Sequence, residues 1–268
     1  MNETEQNVRD RSIEDPSNRF LIHPLSRALL GPALRLGASA NAVSLAGLAF
    51  GFAAALAYSE WRDWRFATLG LILMLIWHVL DGLDGMVARA RGTSSPVGRL
   101  LDGLCDISTF VLVYGVIGAT LPAETPAAVY ALMVVAGAAH AIQSALYEGE
   151  RDRFHAFSRG ERLEPWQPSS TGGAGEKLYL RFRRLLSDRP ATIADVAGYR
   201  RRAVPVLRAM IPLGANARTV AVWLACLASK PEFFWLWEVL VLSPLCWWGI
   251  TALRRSEEMV PEGRQCAP

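Results

Sequence analysis

Long apolar stretches alternate with short polar ones along this chain. Six of the apolar stretches are close to the roughly 20 residues that an α-helix needs to cross the hydrocarbon core of a bilayer. They run approximately over residues 40–59, 66–88, 97–121, 127–147, 203–228 and 233–253. The pattern predicts an all-α, polytopic membrane protein with six transmembrane helices.

A shorter apolar segment precedes these six blocks. Residues 20–37 carry two arginines among apolar side chains, and two prolines interrupt them. A segment of this kind is predicted to be amphipathic and to lie in the membrane interface, divided by the prolines into short turns. The polar residues 1–19 are expected to be a disordered tail without a signal peptide, and residues 255–268 are expected to be a C-terminal tail.

Basic residues predict the orientation of the helices. The segment 148–202 contains twelve Lys and Arg residues, whereas the link 122–126 contains none. By the positive-inside rule, both termini, the turn at Gly92 and the long basic loop lie in the cytoplasm. We therefore expect a multi-pass protein of the cell (inner) membrane, in contact with membrane lipids and without a nucleic-acid partner.

Four aspartates flank the polar link between the second and third apolar blocks. At about 100° per residue, Asp81 and Asp84 share one helix face, and Asp102 and Asp106 share a face of the following helix. The link 92–96 begins with glycine and ends with Ser-Pro, which are signals for the end of one helix and the start of the next. The segment is therefore predicted to be an antiparallel helical hairpin.

The hairpin is predicted to bring these side chains to matching depths, because residues at equal depth in an antiparallel pair have numbers with a constant sum. The matching pairs are Asp81 with Asp106 and Arg89 with Gly98, whose numbers add to 187, and Asp84 with Asp102, whose numbers add to 186. Gly98 has no side chain, so a ligand facing the arginine can come close to the backbone there.

Carboxylates gathered in this way repel one another and need cations among them. Hard divalent ions prefer oxygen ligands, and pairs of such ions support displacement at phosphorus. The cluster therefore predicts a site for Mg²⁺ or Mn²⁺, with two ions expected. The alternative is that the aspartates are solvated, or form salt bridges with Arg89, Arg91 and Arg99 of the same hairpin.

The hairpin also resembles a known family. It reads DGLDGMVARARGTSSPVGRLLDGLCD from Asp81 to Asp106, which fits DxxDGxxAR(x8)GxxxDxxxD at every fixed position. This motif resembles the signature of the CDP-alcohol phosphatidyltransferases. The resemblance implies an enzyme that moves a substituted phosphate from a CDP-alcohol to the hydroxyl of a second alcohol and releases CMP. It assigns residues 38–254 to a six-helix domain that includes the long basic loop.

The family's functional residues carry over to the matching positions. The resemblance implies that Asp106 is the general base for the acceptor hydroxyl. The metal ligands would be Asp81, Asp84, Asp102 and Asp106, and the residues that cradle the CDP moiety would be Gly85, Ala88, Arg89 and Gly98.

Two further arginines, Arg208 and Arg218, interrupt the fifth apolar block. A charged residue inside an apolar segment is a candidate functional residue. Each arginine is a candidate for binding an acceptor phosphate or the donor headgroup. The alternative is that their side chains extend to the membrane surface.

Four hypotheses about the substrates and the kind of protein stay open. The favoured donor is CDP-diacylglycerol with a small polar acceptor, on the family's prevalence in phospholipid biosynthesis. A small CDP-alcohol donor with a lipid acceptor fits the same motif. For the oligomeric state, a homodimer is one option. A membrane prenyltransferase would release inorganic diphosphate instead of CMP, and a cation transporter would carry metal without binding nucleotide.

Overall fold

A computed structural model describes residues 10–93, 96–161, 163, 193 and 195–258, with the side chains of 96–102 and 104 left outside the description. The regular structure of this described part is helical and contains no strand, which confirms the all-α prediction. Its helices are α1 (His23–Arg35), α2 (Ala40–Tyr58), α3 (Trp64–Ala90), α4 (Pro96–Ala119), α5 (Ala127–Ser158), α6 (Val196–Ala209), α7 (Ala215–Leu227), α8 (Pro231–Trp237) and α9 (Ser243–Glu258). Short π-helical segments at Asn18–Ile22 and Glu238–Leu242 precede α1 and join α8 to α9, and a 3₁₀ turn at Ile211–Leu213 precedes α7.

Four helices in the described part of the chain are long and apolar enough to cross a membrane. Three of these are α2 (Ala40–Tyr58), α3 (Trp64–Ala90) and α5 (Ala127–Ser158). The fourth is the run Pro231–Glu258, which comprises α8, the π-helical segment and α9. The apolar segments Cys105–Ala119 and Ala215–Leu227 are shorter. The first, second, fourth and sixth predicted blocks are thus helices of spanning length.

The prediction of one continuous helix over 203–228 is wrong. Helix α6 ends at Ala209, and α7 begins only at Ala215, after the 3₁₀ turn. Pro212 has no backbone N–H to donate within a helix, and Gly214 takes an extended conformation with φ −77° and ψ 157°. The break therefore follows from two backbone-specific residues that an average of hydrophobicity does not register.

The described residues form two compact units, and each is treated by itself. The first unit comprises residues 16–141 and 215–240, and it contains the aspartate-rich hairpin. The second unit comprises the described residues of 1–15, 142–214 and 241–268.

Helix α2 packs against both α3 and α4 in the first unit. Small residues permit these approaches: a Cβ on Gly51 would lie 2.5 Å from Oγ1 of Thr109 on α4, and a Cβ on Gly70 of α3 would lie 2.8 Å from the ring of Tyr58 on α2. Such close helix contacts are typical of membrane proteins, where packing replaces the hydrophobic effect between helices. The helices that carry the aspartates are thus held by α2.

Replacing Gly51 by alanine is expected to destabilise the first unit. The new methyl group would meet Thr109, whose β-branched side chain has little freedom to turn, and overpacking of this kind costs about 1–3 kcal/mol. Thermal unfolding in detergent measures the effect. Gly115→Ala is the control because a Cβ there meets nothing within 4 Å. Equal melting temperatures for the two variants would contradict the close approach of α2 and α4.

Helix α1 packs on α3 through small side chains. Ser26 donates a hydrogen bond from Oγ to the carbonyl oxygen of Val79 at 2.7 Å, and a Cβ on Gly82 would lie 2.8 Å from that Oγ. Leu25 and Leu29, which lie on the same helix beside this packed face, are exposed. The expected division into short turns is wrong, because one proline lies in the first turn and the other inside a continuous helix. The interfacial location of α1 stays a prediction.

In the second unit, residues 10–15 are ordered against α6, unlike the disordered tail predicted for 1–19. Ile13 is 1% exposed, Asp10 forms an ion pair with Arg200, and Arg208 donates from Nε to the carbonyl oxygen of Ser12 at 2.6 Å. Burial raises the pKa of Asp10, but hydrogen bonds from Arg200 and Ser12 outweigh this effect and lower the pKa to about 2. The ion pair therefore persists at neutral pH. Residues 1–9 lie outside the described part of the chain.

Candidate active site

Asp84 is held by a partner from another helix. Its side chain is 6% exposed, and Oδ2 accepts a hydrogen bond from Oγ of Ser44 at 2.5 Å. Ser44 lies in the second turn of α2, whose start is capped by the side chain of Ser39. Because α2 also packs along α3, the position of this carboxylate is fixed by an element that the aspartate motif does not contain.

Arg89 lies over Gly85 on the same face of α3. A Cβ built on Gly85 would be 3.3 Å from a terminal nitrogen of Arg89, so the guanidinium folds back along the helix over the position that lacks a side chain. Asp81 is one further turn along this face, and it is half-buried, whereas Arg89 is exposed. The face therefore offers a carboxylate, a bare backbone and a planar donor group in succession, an arrangement that suits a diphosphate and its cations.

A contact between two aromatic rings indicates the register of α3 against α4. Trp77 on α3 and Phe110 on α4 meet edge to face, with their ring centroids 5.7 Å apart. Their numbers add to 187, which is the sum predicted for Asp81 and Asp106. These two aspartates are each one helical turn from the contacting rings, so the contact supports the predicted matching depth.

Of the remaining motif residues, the structure describes the side chains of some and only the backbone of others. Asp106 and Ala88 are half-buried. Gly98 and Asp102 belong to α4 by their backbone, but their side-chain positions lie outside the described residues. The structure thus describes three of the four predicted metal ligands.

These residues supply oxygen donors only, which is the chemistry that Mg²⁺ and Mn²⁺ prefer. Among the described side chains, no group of three or more His, Cys, Asp and Glu residues is arranged to hold an ion jointly. The side chain of Asp102 lies outside the described residues. The donor set therefore fits the predicted ions by its chemistry, and the ligand geometry stays a prediction.

The two arginines of the fifth block have different surroundings. Arg218 belongs to the first unit and is fully buried, and its Nε donates to Oε1 of Glu238 at 2.8 Å. Arg208 belongs to the second unit and is exposed at the end of α6, where it donates to Ser12. Phosphate binding by either arginine stays a prediction.

The sequence patterns did not identify Ser44, which contacts Asp84, or Glu238, which pairs with Arg218. The signal for Glu238 was present, because it is an acidic residue inside an apolar block. The signal for Ser44 was weaker, since a serine near the start of an apolar helix is common. Its contact with Asp84 joins residues 40 positions apart, which local patterns do not predict.

Comparison with known proteins identifies the hairpin region. Residues 38–161 match the family model described as CDP-alcohol phosphatidyltransferase. The match contains all eight fixed positions of the aspartate motif. A search of curated proteins gave no match.

Proposed function

We propose that this protein, whose residues 38–161 match the CDP-alcohol phosphatidyltransferase family model, transfers a phosphatidyl group from CDP-diacylglycerol to the hydroxyl of a polar acceptor in phospholipid biosynthesis. The match to this family supports a membrane transferase that uses a CDP-alcohol. The observation that carries the finer proposal is the complete eight-position motif on two helices in the predicted register. The choice of donor rests on the family's common role in making phospholipids.

The reaction is a substitution at the phosphorus distal to cytidine. The acceptor oxygen forms a new bond to this phosphorus, the bond from phosphorus to the CMP oxygen breaks, and Asp106 takes the proton of the acceptor hydroxyl. Arg89 donates hydrogen bonds to the diphosphate, and the absence of a side chain at Gly85 leaves room for the nucleotide to approach α3. Ala88 and Gly98 complete the proposed CDP cradle.

Two divalent ions, Mg²⁺ or Mn²⁺, would be held by Asp81, Asp84, Asp102 and Asp106. When bound, they would neutralise negative charge on the diphosphate and on the departing CMP. Among these ligands, Asp84 has an orienting partner in Ser44, and such partners tune both the affinity for metal and the activity.

The Ser44→Ala variant is expected to need a higher Mg²⁺ concentration for half-maximal CMP release, by roughly 10- to 100-fold. The substitution leaves the carboxylate of Asp84 in place but removes the hydroxyl that orients it. A Mg²⁺ titration of CMP release measures the shift. Ser44→Thr keeps the hydroxyl and should recover most of the affinity, and Ser59→Ala, at the half-buried serine that follows the last residue of α2, is the control. An unchanged titration for Ser44→Ala would remove this serine from the site.

We also propose that the chain crosses the membrane six times, with α4 in the third crossing and α7 together with its flanking residues in the fifth, and that the aspartates face the cytoplasm of the inner membrane. The distribution of basic residues supports this orientation. It places the site where soluble substrates and CMP can exchange with the cytoplasm.

The direct test is CMP release by membranes that contain the protein, with CDP-diacylglycerol and a panel of acceptors such as glycerol 3-phosphate, inositol phosphate, serine and choline. We expect release to depend on one acceptor and on Mg²⁺ or Mn²⁺. If every acceptor fails, the second arm supplies CDP-choline or CDP-ethanolamine with diacylglycerol, which tests the alternative donor class. Release of inorganic diphosphate from a prenyl donor would overturn the assignment.

A further inference from the structure

A buried ion pair lies in the first unit, outside the aspartate motif. Arg218 on α7 and Glu238 at the end of α8 each have a side chain that is 0% exposed, and they are joined by two hydrogen bonds, of 2.8 Å from Nε and 3.3 Å from a terminal nitrogen. Desolvating two charges is costly, and a well-packed apolar pair is often at least as stable. The pair is therefore a candidate for a role other than stability.

The carboxylate of Glu238 also connects two other helices. The hydroxyl of Tyr114 on α4 donates to Oε1 at 3.3 Å, and Nδ1 of His140 on α5 lies 3.4 Å from the same oxygen. The hydroxyl of Tyr114 is in turn 3.3 Å from Nδ1 of His140. We call Tyr114, His140, Arg218 and Glu238 the buried network. It joins α4, α5, α7 and α8 through polar groups.

Glu238 is also the first residue of the π-helical segment Glu238–Leu242. An insertion of this type widens the helix locally, and it occurs frequently at functional sites. The departure from a regular α-helix therefore begins at the residue whose carboxylate connects the other members of the network.

The buried network contacts the face of α4 that carries Asp106. Asp106, Phe110 and Tyr114 follow one another at intervals of four residues and span an arc of about 80°. The ring of Phe110 lies 4.4 Å from the ring of His140, centroid to centroid, and Tyr114 meets His140 through its hydroxyl. His140 thus contacts this face at two consecutive turns, at Phe110 and at Tyr114. Tyr114, the more distant of the two, lies about 12 Å from Asp106 along the helix axis.

We propose that the buried network is a positioning device, which fixes the rotation and depth of α4 so that Asp106 faces the acceptor hydroxyl. A shift of α4 by one residue would turn it by about 100° and would break both contacts with His140. An apolar contact has little directional preference, whereas the planar fork of an arginine donates hydrogen bonds to a carboxylate in a defined orientation. This inference rests on the proposed function for the role of Asp106, and it gives Arg218 a positioning role in place of phosphate binding.

Tyr114→Phe is the first test, because it removes one hydroxyl and keeps the ring. We expect kcat for CMP release to fall roughly 10- to 100-fold, the size of effect that a misplacement of about 1 Å can produce. The donor KM should change little, since the proposed nucleotide cradle lies mainly on α3. Tyr130→Phe, at a partly exposed tyrosine of α5, is the matched control.

Cys105 gives a second readout that does not depend on activity. It adjoins Asp106 and is 5% exposed, so a change in the rotation of α4 should raise its rate of reaction with a maleimide. The measurement uses a protein in which Cys226, Cys246 and Cys266 are replaced by serine. Faster labelling in Tyr114→Phe than in Tyr130→Phe supports the proposal. Equal labelling together with an unchanged kcat overturns it.

The double variant Arg218→Met/Glu238→Leu separates positioning from stability. Apolar replacement of a buried ion pair is often neutral or stabilising, so the melting temperature should be kept, while kcat falls and Cys105 labels faster. A folded double variant with the kcat of the unmodified protein would contradict a positioning role. If the unmodified protein releases no CMP with any donor, the proposed function fails, and the labelling of Cys105 still decides whether the network holds α4.

Discussion

Asp106→Asn is expected to abolish CMP release while leaving binding of the CDP donor measurable. The substitution keeps the size of the side chain but removes its ability to take a proton from the acceptor hydroxyl. General bases contribute about 10²- to 10⁴-fold to rates, so turnover should fall by at least roughly 100-fold. Quenched assays of CMP release with saturating acceptor, together with equilibrium binding of labelled CDP-diacylglycerol, measure the two effects separately.

The control for Asp106→Asn is Asp63→Asn. Asp63 caps the start of α3 by accepting a hydrogen bond from the backbone N–H of Arg65, and an asparagine can perform the same capping role. We expect this variant to keep its turnover. If Asp106→Asn were fully active, the base would have to be another group. If it lost donor binding as well as turnover, the role of Asp106 in holding the ions would account for the loss of turnover, and a separate role as the general base would have no support.

The helices that carry the site could be predicted from the sequence because two signals coincide there. The second apolar block was predicted at 66–88, and α3 runs from Trp64 to Ala90. The glycine at 92 takes a left-handed conformation with φ +64°, as a glycine that ends a helix commonly does. The register of the hairpin followed from the spacing of the aspartates, and the contact of Trp77 with Phe110 has the same register.

The features that the sequence did not predict depend on contacts between distant residues or on backbone details. The bond of Ser44 to Asp84 and the buried network join segments far apart in the chain, so no local period reveals them. The break between α6 and α7 was hidden by apolar composition, although Pro212 and Gly214 were visible in the sequence. Glu238 was overlooked because a single acidic residue barely changes the hydropathy of its block.

Arg89→Lys is expected to lower kcat/KM for the CDP donor by roughly 10- to 100-fold, because it keeps the charge but removes the planar fork that donates two hydrogen bonds at once. Hydrogen bonds to charged groups contribute about 1.5–3 kcal/mol, and a lysine ammonium recovers only part of this. Steady-state kinetics of CMP release at varied donor concentration, with acceptor saturating, measure the change.

Arg91→Lys is the matched control for this substitution. Arg91 caps the end of α3 two residues away and is also exposed, so general effects of replacing an arginine beside the membrane apply equally to both positions. Only Arg89 lies over Gly85, and only its replacement should weaken the use of the donor. If both variants had the same kcat/KM for the CDP donor, the positive charge alone would account for the contribution of Arg89. The proposed pairing of the guanidinium with the diphosphate would then be incorrect.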